Sequence, residues 1–211
     1  MYSYRSLPEL GETWAGVTGV LRLGNGDTKL IPRDVMDLGR VDPPLDPSAV
    51  VINEVDYAQP GADNAEFIEL KNTGVTGASL VGVSLAMVNG TEGNPNYRVI
   101  PLDGLGELEP GEIAVIGAEA VLMNLDPSVK RLALPVSIQN GPDGLRLTEA
   151  STGTIDALGY AGLSLEEGAV SVEDSELDEG VSLSRCGLDS GDNAQDFTLL
   201  SSSPGLDNPC E

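Results

Sequence analysis

The residues best suited to metal chemistry lie in one polar loop near the end of the 211-residue chain. Asp189, Asp192 and Asp196 bring three carboxylates close together in sequence, and Asn193 adds an amide oxygen. Hard cations such as Ca²⁺ take about six to eight oxygen ligands, which such a loop can supply. The sequence therefore predicts Asp189, Asp192 and Asp196 as candidate Ca²⁺ ligands, although their spacing differs from the EF-hand pattern. The alternative is that these side chains accept local backbone N–H groups in Asx turns.

A second polar cluster follows the first strand that we predict after residue 49. It contains Asp56, Gln59, Asp63 and Asn64, and the same two interpretations apply to it. The cluster could supply oxygen ligands to a cation, or it could close local turns.

Paired carboxylates could also carry out hydrolysis, and Glu54, Glu66 and Glu69 lie on or beside predicted strands. A glycosidase needs two carboxyl groups across a cleft, one of them with a raised pKa. The chain has 34 acidic residues, so chance pairs are expected. Backbone capping, or pairing with Lys71 or Arg98, is the favoured role for these glutamates. A carboxylate-based hydrolase is retained as a minor alternative.

The chain contains no histidine, which excludes Ser-His-Asp and Cys-His catalysis and His-ligated metals. The serines in or near predicted strands therefore lack the usual general base; they are Ser79, Ser84, Ser137, Ser182 and Ser184. We expect no catalytic residues and no enzymatic activity.

Two cysteines, Cys186 and Cys210, lie late in the chain. One even pair in an acidic chain rich in Gly and Pro predicts a disulfide formed in an oxidising compartment. Closing a loop of this length would stabilise the fold by roughly 3 kcal/mol. Two separate buried thiols remain an alternative, and a zinc site would need carboxylates to complete its ligand set.

The formal net charge of −23 restricts the partners of the chain. It excludes nucleic acid, which requires clustered Lys and Arg, and it repels anionic lipid. No stretch approaches the roughly 20 apolar residues of a membrane span, so we expect no membrane insertion. The first residues lack the apolar core of a signal peptide, so an exported protein would have lost its leader. We expect a piece of a longer exported protein, located outside the cell or on its surface.

The chain from residue 50 onwards has the pattern of an all-β domain. Short apolar runs are separated by Gly, Pro, Asn or Asp, the residues that turns require. The predicted strands are 50–57, 66–72, 80–89, 97–102, 113–117, 136–139, 145–148, 155–160, 181–185 and 196–200. Many short strands with frequent turns predict a β-sandwich or a barrel.

Aliphatic residues of these strands supply two inward faces, which two sheets about 10 Å apart would bury. The predicted core residues are Ile52, Val55, Phe67, Ile68, Leu70, Leu80, Val83, Leu85, Val115, Leu145, Leu147, Ile155 and Leu158.

The N-terminal part predicts a separate β-hairpin, because two β-rich runs flank a Gly-Asn-Gly-Asp turn. A linker rich in Pro and Asp follows, and it should be extended, since Pro fixes φ and lacks an N–H. We therefore divide the chain into a hairpin segment at 1–38, a linker at 39–48 and a β-rich domain at 49–211.

Two further segments stand apart from the strand pattern. Residues 119–125 predict one or two helical turns. Residues 164–180 are rich in Glu and Asp with few apolar anchors, so we predict a long, mobile loop there.

Several sequence segments resemble, in their order and spacing, the bacterial branch of the lamin-tail domain family. They begin at Val51 (VINEVDY), Glu66 (EFIELKNTG), Leu80 (LVGVSL), Leu108 (LEPGEIAVI), Ile138 (IQNGPDGLRL), Ile155 (IDALGY) and Ser182 (SLSR), and Asp196-Phe and Ser203-Pro-Gly follow. The resemblance covers about residues 49–208 and implies an immunoglobulin-like β-sandwich. The acidic insertion, the cysteine pair and Val83, where the family often has Trp, depart from the pattern. The hairpin resembles the end of an OB-like module of secreted nucleases, which implies a remnant of a preceding module.

The resemblance implies an accessory module of exported bacterial proteins, often beside nucleases, phosphatases or other hydrolases. We therefore expect a non-catalytic extracellular module that positions an attached secreted enzyme or binds a partner protein or surface. The alternative is a Ca²⁺-dependent carbohydrate-binding β-sandwich, with a glycan as the partner. That function needs an exposed aromatic platform, for which Tyr57, Tyr97 and Tyr160 are the candidates.

Overall fold

The computed structural model describes residues 14–24, 26–32, 38–40, 45–91 and 93–210. The chain divides into two compact units, Met1–Pro44 and Leu45–Glu211. Within the described residues, no helix has the length and apolar character needed to cross a membrane.

The described residues of the first unit form two antiparallel strand pairs. Its strands are β1 (Trp14–Val17), β2 (Val20–Gly24), β3 (Asp27–Ile31) and β4 (Leu38–Arg40). Strands β2 and β3 form the predicted hairpin, in which Val20 lies opposite Ile31. Gly26 in the turn has a φ of 84°, which a residue with a side chain rarely adopts. The second pair, β1 with β4, was not predicted.

The second unit is built almost entirely from short strands. In chain order they are β5 (Val50–Asp56), β6 (Phe67–Asn72), β7 (Ala78–Ser79), β8 (Val83–Asn89), β9 (Asn96–Pro101), β10 (Glu107–Leu108), β11 (Ile113–Gly117), β12 (Lys130–Ala133), β13 (Asp143–Glu149), β14 (Gly153–Tyr160), β15 (Val181–Arg185) and β16 (Phe197–Ser201). The helices are α1 (Glu119–Leu122) and α2 (Asn193–Asp196), with 3₁₀ turns at Pro47–Ala49 and Asp103–Leu105.

These strands form two main sheets. The six-stranded sheet has the order β12-β11-β6-β5-β15-β16, and the four-stranded sheet has the order β14-β13-β8-β9. All pairs are antiparallel except β11 with β12, which is parallel. Strands β7 and β10 form a separate small pair.

The main core joins aliphatic side chains from both sheets. Val55 and Ile68 come from the six-stranded sheet, Leu85 and Leu145 come from the four-stranded sheet, and none of them is exposed. The structure therefore confirms the predicted all-β, immunoglobulin-like sandwich with an N-terminal hairpin.

A second, smaller apolar cluster lies apart from the main core. It consists of Phe67, Val115, Val121 and Leu125. Phe67 and Val115 were predicted to face the main core, and that detail is wrong. Alternate residues of a strand face opposite sides of the sheet, and in β6 the main core takes Ile68. Part of the outer face of the six-stranded sheet, at β6 and β11, is therefore covered by α1 and its flanking residues.

In the second unit, one predicted strand is wrong, and the strands β7, β10 and β12 were not predicted. Residues 136–139 form no strand: the backbone of Ile138 bonds to the Glu66 carboxyl group, and the backbone of Gln139 bonds to two tyrosine hydroxyls. The Gln139 N–H donates to Tyr97 Oη at 3.1 Å, and Tyr160 Oη donates to the Gln139 carbonyl at 3.0 Å. Instead, β12 forms the edge of the six-stranded sheet at residues 130–133.

The acidic segment 164–180 has no helix or strand, but it is fastened to the sandwich at several points. The Val170 N–H donates to the Gly159 carbonyl at 3.0 Å, and Tyr57 Oη donates to the Asp174 carbonyl at 2.9 Å. The chain passes so close to β14 that a Cβ atom at Gly159 would lie 2.2 Å from the Leu163 carbonyl oxygen. The prediction of a loop holds, whereas these tertiary contacts do not fit the mobility that we expected.

Candidate functional site

The C-terminal tail, residues 202–210, is bound by two glutamates of the six-stranded sheet. Glu54 and Glu69 lie opposite each other on β5 and β6, and neither is exposed. Glu54 Oε1 accepts the Ser203 N–H at 2.7 Å, and Glu69 Oε2 accepts the Gly205 N–H at 2.7 Å. The tail therefore covers both carboxyl groups.

Burial shifts the titration of both glutamates. It raises the pKa of Glu54, although the Ser182 hydroxyl donates to this carboxyl and opposes the shift. It also raises the pKa of Glu69 to about 7, and the charge of Glu54 adds to the increase. The Asn53 amide donates to Glu69 Oε1 at 2.7 Å. Both glutamates thus have a raised pKa, as a catalytic acid does, but their hydrogen bonds hold the tail.

A disulfide joins the tail to the end of β15. The Cys186 and Cys210 sulfur atoms are 2.00 Å apart. The Asn208 amide donates to the Arg185 carbonyl at 2.9 Å and to the Asn53 carbonyl at 3.0 Å. The tail is thus held by both covalent and polar contacts.

Arg185, at the end of β15, is the centre of a buried polar cluster. Its side chain is 1% exposed, and its Nη2 donates to both carboxylate oxygens of Asp156 at 3.1 Å. Its Nη1 donates to Asp196 at 2.9 Å, and its Nε donates to the Ile52 carbonyl at 2.9 Å. The guanidinium lies 4.7 Å from the centre of the Phe197 ring. Arg185 lies on the six-stranded sheet and Asp156 on the four-stranded sheet, so this buried ion pair links the two sheets.

Two of the three predicted cation ligands, Asp189 and Asp196, share Arg185 Nη1 as a donor, and Asp192 has other contacts. Asp189 accepts Arg185 Nη1 at 3.0 Å, and Asp196 accepts the Ser190 hydroxyl at 2.6 Å. Asp192 caps α2 by accepting the backbone N–H two residues further on at 3.1 Å. Of the three, only Asp189 belongs to a group of three converging carboxyls found among the described residues.

That converging group consists of Asp156, Glu167 and Asp189. Each residue offers a carboxylate oxygen, and these oxygens lie within 4.8 Å of one another. Burial raises the pKa of Glu167 to about 8, and the charge of Asp156 adds to the increase. Burial also raises the pKa of Asp156, although the charge of Arg185 opposes the shift.

Sequence reasoning did not find Asp156 or Glu167 as site residues. Asp156 was visible as a polar position alternating with Ile155 in a strand, and Glu167 was one of many acids in the acidic segment. The register of β14 beside β13 and the return of segment 164–180 onto Gly159 bring them together. No local signal in the sequence encodes that approach.

The second polar cluster forms a local turn network. The Gln59 amide donates to Asp56 Oδ1 at 2.6 Å, and the Gln59 N–H donates to Asp63 Oδ1 at 2.8 Å. The Asn64 N–H donates to the Ala62 carbonyl at 2.9 Å. These contacts favour the turn interpretation over a cation site. Asp56 and Gln59 also border a cavity of about 350 Å³.

Glu66, the third glutamate considered for catalysis, lies just before β6 and is 2% exposed. Burial raises its pKa to about 7, and the charge of Asp63 adds to the increase. The Ser137 side chain and the Ile138 backbone form hydrogen bonds with its carboxyl group. Its Oε1 is buried without a hydrogen-bond partner in the described structure.

The tyrosines considered for sugar stacking are mostly inside the sandwich. Tyr57 is 1% exposed, Tyr160 is 0% exposed, and their rings stack with centroids 4.2 Å apart. Tyr97 is half-buried and packs against the main core. The described part of the chain therefore offers no open platform built from these three rings.

Comparison with known proteins gives one family match. The Lamin Tail Domain family model matches residues 43–162, which include β5 to β14. The matched range ends before β15, the disulfide and the C-terminal tail. No curated protein matches the chain.

Proposed function

Because the chain belongs to the lamin tail domain family, we propose that it is a non-catalytic extracellular module that positions an attached secreted enzyme or binds a partner protein or surface. Lamin tail domains are typically immunoglobulin-like modules without enzymatic activity. The attached enzyme would be a hydrolase or a nuclease.

The proposal rests on the burial of two glutamates beneath the C-terminal tail. Glu54 and Glu69 are the strand carboxyls best placed for hydrolysis, and both are 0% exposed. Their oxygens accept N–H groups from Ser203 and Gly205 of the tail. A glycosidase pair must instead flank a cleft that admits the substrate and water. The pair therefore supports a structural role.

The disulfide and the charge support the location and the kind of partner. Disulfides persist in oxidising compartments, so the Cys186–Cys210 bridge favours an extracellular setting. A net charge of −23 speeds association with basic surfaces and repels nucleic acid and anionic lipid. We therefore favour a protein partner with a basic surface.

The carbohydrate alternative has less support. Sugar-binding modules stack rings on exposed aromatic faces, whereas Tyr57 and Tyr160 are buried against each other. A carboxylate-based hydrolase has less support still. Glu54 and Glu69 hold the tail, and Glu66 is 2% exposed and hydrogen-bonded to Ser137 and Ile138.

Two experiments test the proposal: the first tests for enzymatic activity, and the second tests for binding to a surface. The first incubates the purified 211-residue chain with nitrophenyl esters, phosphates and glycosides and with single-stranded DNA. We expect turnover equal to that of buffer. Turnover that Glu54→Gln or Glu69→Gln abolishes would show an enzyme.

The second experiment fuses the chain to a secreted reporter enzyme and incubates it with bacterial cells. We expect the cells to retain more reporter activity with the fusion than with the reporter alone. Retention should fall as salt is raised, because opposite charges are screened. Equal retention of the fusion and the free reporter would contradict surface binding.

A further inference from the structure

We propose that Asp156, Glu167, Asp189 and Asn193 bind one divalent cation of the size of Ca²⁺, which fastens the acidic segment 164–180 to the sandwich. The inference does not depend on the proposed function. Of the ligands that the sequence predicts, it includes only Asp189.

The first observation is the convergence of the carboxyl groups. Oxygens of Asp156, Glu167 and Asp189 all lie within 4.8 Å of one another. Ca²⁺ binds oxygen at about 2.3–2.6 Å, so two oxygens on opposite sides of one ion are about 5 Å apart. Mg²⁺ binds at about 2.0–2.1 Å and would need a smaller cluster. One Ca²⁺ can therefore contact all three residues without a large rearrangement.

The second, independent observation is a buried amide oxygen without a partner. Asn193 is 0% exposed, and its Oδ1 has no hydrogen-bond partner in the described structure. Its Nδ2 donates to the Ala157 carbonyl at 2.8 Å, and its N–H donates to the Glu167 carbonyl at 2.9 Å. These hydrogen bonds hold Asn193 between Ala157, the neighbour of Asp156, and the backbone of Glu167.

Glu167 repeats the pattern, because its Oε2 is also buried without a partner. Buried polar atoms are rarely left unpaired, so the Glu167 oxygen of the converging group and the oxygen of the adjoining Asn193 amide both point to a ligand. A cation bound by Glu167 and Asn193 would satisfy both oxygens, whereas a further hydrogen-bond acceptor could not.

The balance of charge also favours a cation. Asp156, Glu167, Asp189 and Asp196 carry four negative charges when ionised, against one positive charge on Arg185. The guanidinium donates to the three aspartates, and none of its described hydrogen bonds goes to Glu167. With all four carboxyl groups ionised, the cluster has a net charge of −3, which one divalent cation reduces to −1. The cation would thus replace the proton that the raised pKa of about 8 leaves on Glu167 at neutral pH.

The donor types select the kind of ion. The four side chains offer carboxylate and amide oxygens, the hard ligands that Ca²⁺ prefers, and the site has no thiolate or imidazole. The Asp189 side chain is 31% exposed, so water can complete the coordination shell from that side.

The test uses the 211-residue chain freed of metal by a chelator. Calorimetric titration with CaCl₂ should give saturable heat with about one site per chain, and the ion should raise the melting temperature. Glu167→Gln keeps the shape of the side chain and removes its charge, and it should weaken the Kd at least about tenfold. MgCl₂ should bind more weakly than CaCl₂.

Two control variants distinguish this site from diffuse binding to an acidic surface. Glu173→Gln removes one charge from an exposed position of the same segment, and Asp192→Asn alters a residue outside the converging group. Both should bind Ca²⁺ as the parent chain does. A second readout is cleavage of segment 164–180 by a Glu-specific protease, which Ca²⁺ should slow in the parent chain but not in Glu167→Gln.

Three results would overturn the proposal. The first is an absence of both saturable heat and a Ca²⁺-dependent melting temperature in the parent chain. The second is unchanged binding by Glu167→Gln. The third is binding that survives Glu167→Gln and is lost in Asp192→Asn, which would assign the ion to the polar loop at 189–196.

Discussion

Glu54 and Glu69 lie directly opposite each other across β5 and β6, and each accepts a backbone N–H from the C-terminal tail. Like charges at opposite positions of an antiparallel pair repel each other. Here the pair is also buried, so the fold favours the protonated form of at least one carboxyl group.

This relationship predicts that the protein is more stable in mild acid than in mild alkali. Burial raises the pKa of Glu69 from 4.5 to about 7 in the folded chain. The folded state therefore binds more protons than the unfolded state between these values, and the free energy of unfolding falls as the pH rises through this range. For Glu69 alone, the full change corresponds to roughly 3 kcal/mol. Urea unfolding at pH 5 and pH 8, with chelator present, measures the difference.

The variant Glu69→Gln should reduce that pH dependence, because it removes one of the titrating groups. Glu119→Gln, at an exposed position at the start of α1, is the matched control and should leave it unchanged. A free energy of unfolding that rises between pH 5 and pH 8 would contradict the prediction.

The disulfide should contribute strongly to stability. It closes a loop with a sequence separation of 24 residues. The chain-entropy model gives roughly 3 kcal/mol for a loop of this size. Replacing both Cys186 and Cys210 by Ser should lower the free energy of unfolding by about that amount in urea titrations. An unchanged value would show that the polar contacts of Asn208 and the two glutamates hold the tail without the bridge.

Arg185 should contribute far more to the stability of the fold than a surface arginine does. Arg185→Met leaves Asp156 buried without its counter-charge, and breaking a buried pair costs about 3–5 kcal/mol. Arg146→Met removes an ion pair with Glu166, whose side chain is 44% exposed, and should cost about 0–1 kcal/mol. Thermal melts of both variants measure the contrast.

The double variant Arg185→Met/Asp156→Asn provides a further test. It removes both charges, so it should recover part of the stability that Arg185→Met loses. Equal melting temperatures for Arg185→Met and Arg146→Met would contradict the role of Arg185 in the cluster.

The Tyr57 hydroxyl should fasten the acidic segment. Tyr57→Phe leaves the buried Asp174 carbonyl without this donor, at a cost of about 1–3 kcal/mol. Cleavage within 164–180 by a Glu-specific protease should therefore become faster. Tyr160→Phe is the control, because its hydroxyl donates to Gln139 in another segment. Faster cleavage of 164–180 in both variants, or in neither, would contradict the prediction.

The sandwich could be predicted from local patterns, because alternation and turn residues report directly on strands. The strands β11 and β15 have the predicted bounds, at Ile113–Gly117 and Val181–Arg185. Strand β12 was missed because Lys-Arg-Leu-Ala shows no clear alternation, and it pairs in parallel with β11 only after α1. Residues 136–139 looked like a strand because apolar Val136 and Ile138 alternate with polar residues.

The converging acids could be predicted only in part. Asp189 stood out because it lies in a dense polar loop. Asp156 and Glu167 did not, because their proximity depends on the path of the acidic segment past β14 and on the reach of Arg185 from β15. Side chains from distant segments meet through tertiary packing, which one sequence does not reveal.

The stacked rings of Tyr57 and Tyr160 lie inside the second unit, whereas the single tryptophan, Trp14, belongs to the first. Fluorescence excited selectively at the indole will therefore report on the first unit, whereas tyrosine emission combines Tyr2 and Tyr4 of the first unit with three tyrosines of the second. The first unit thus carries an optical reporter of its own, without any added label.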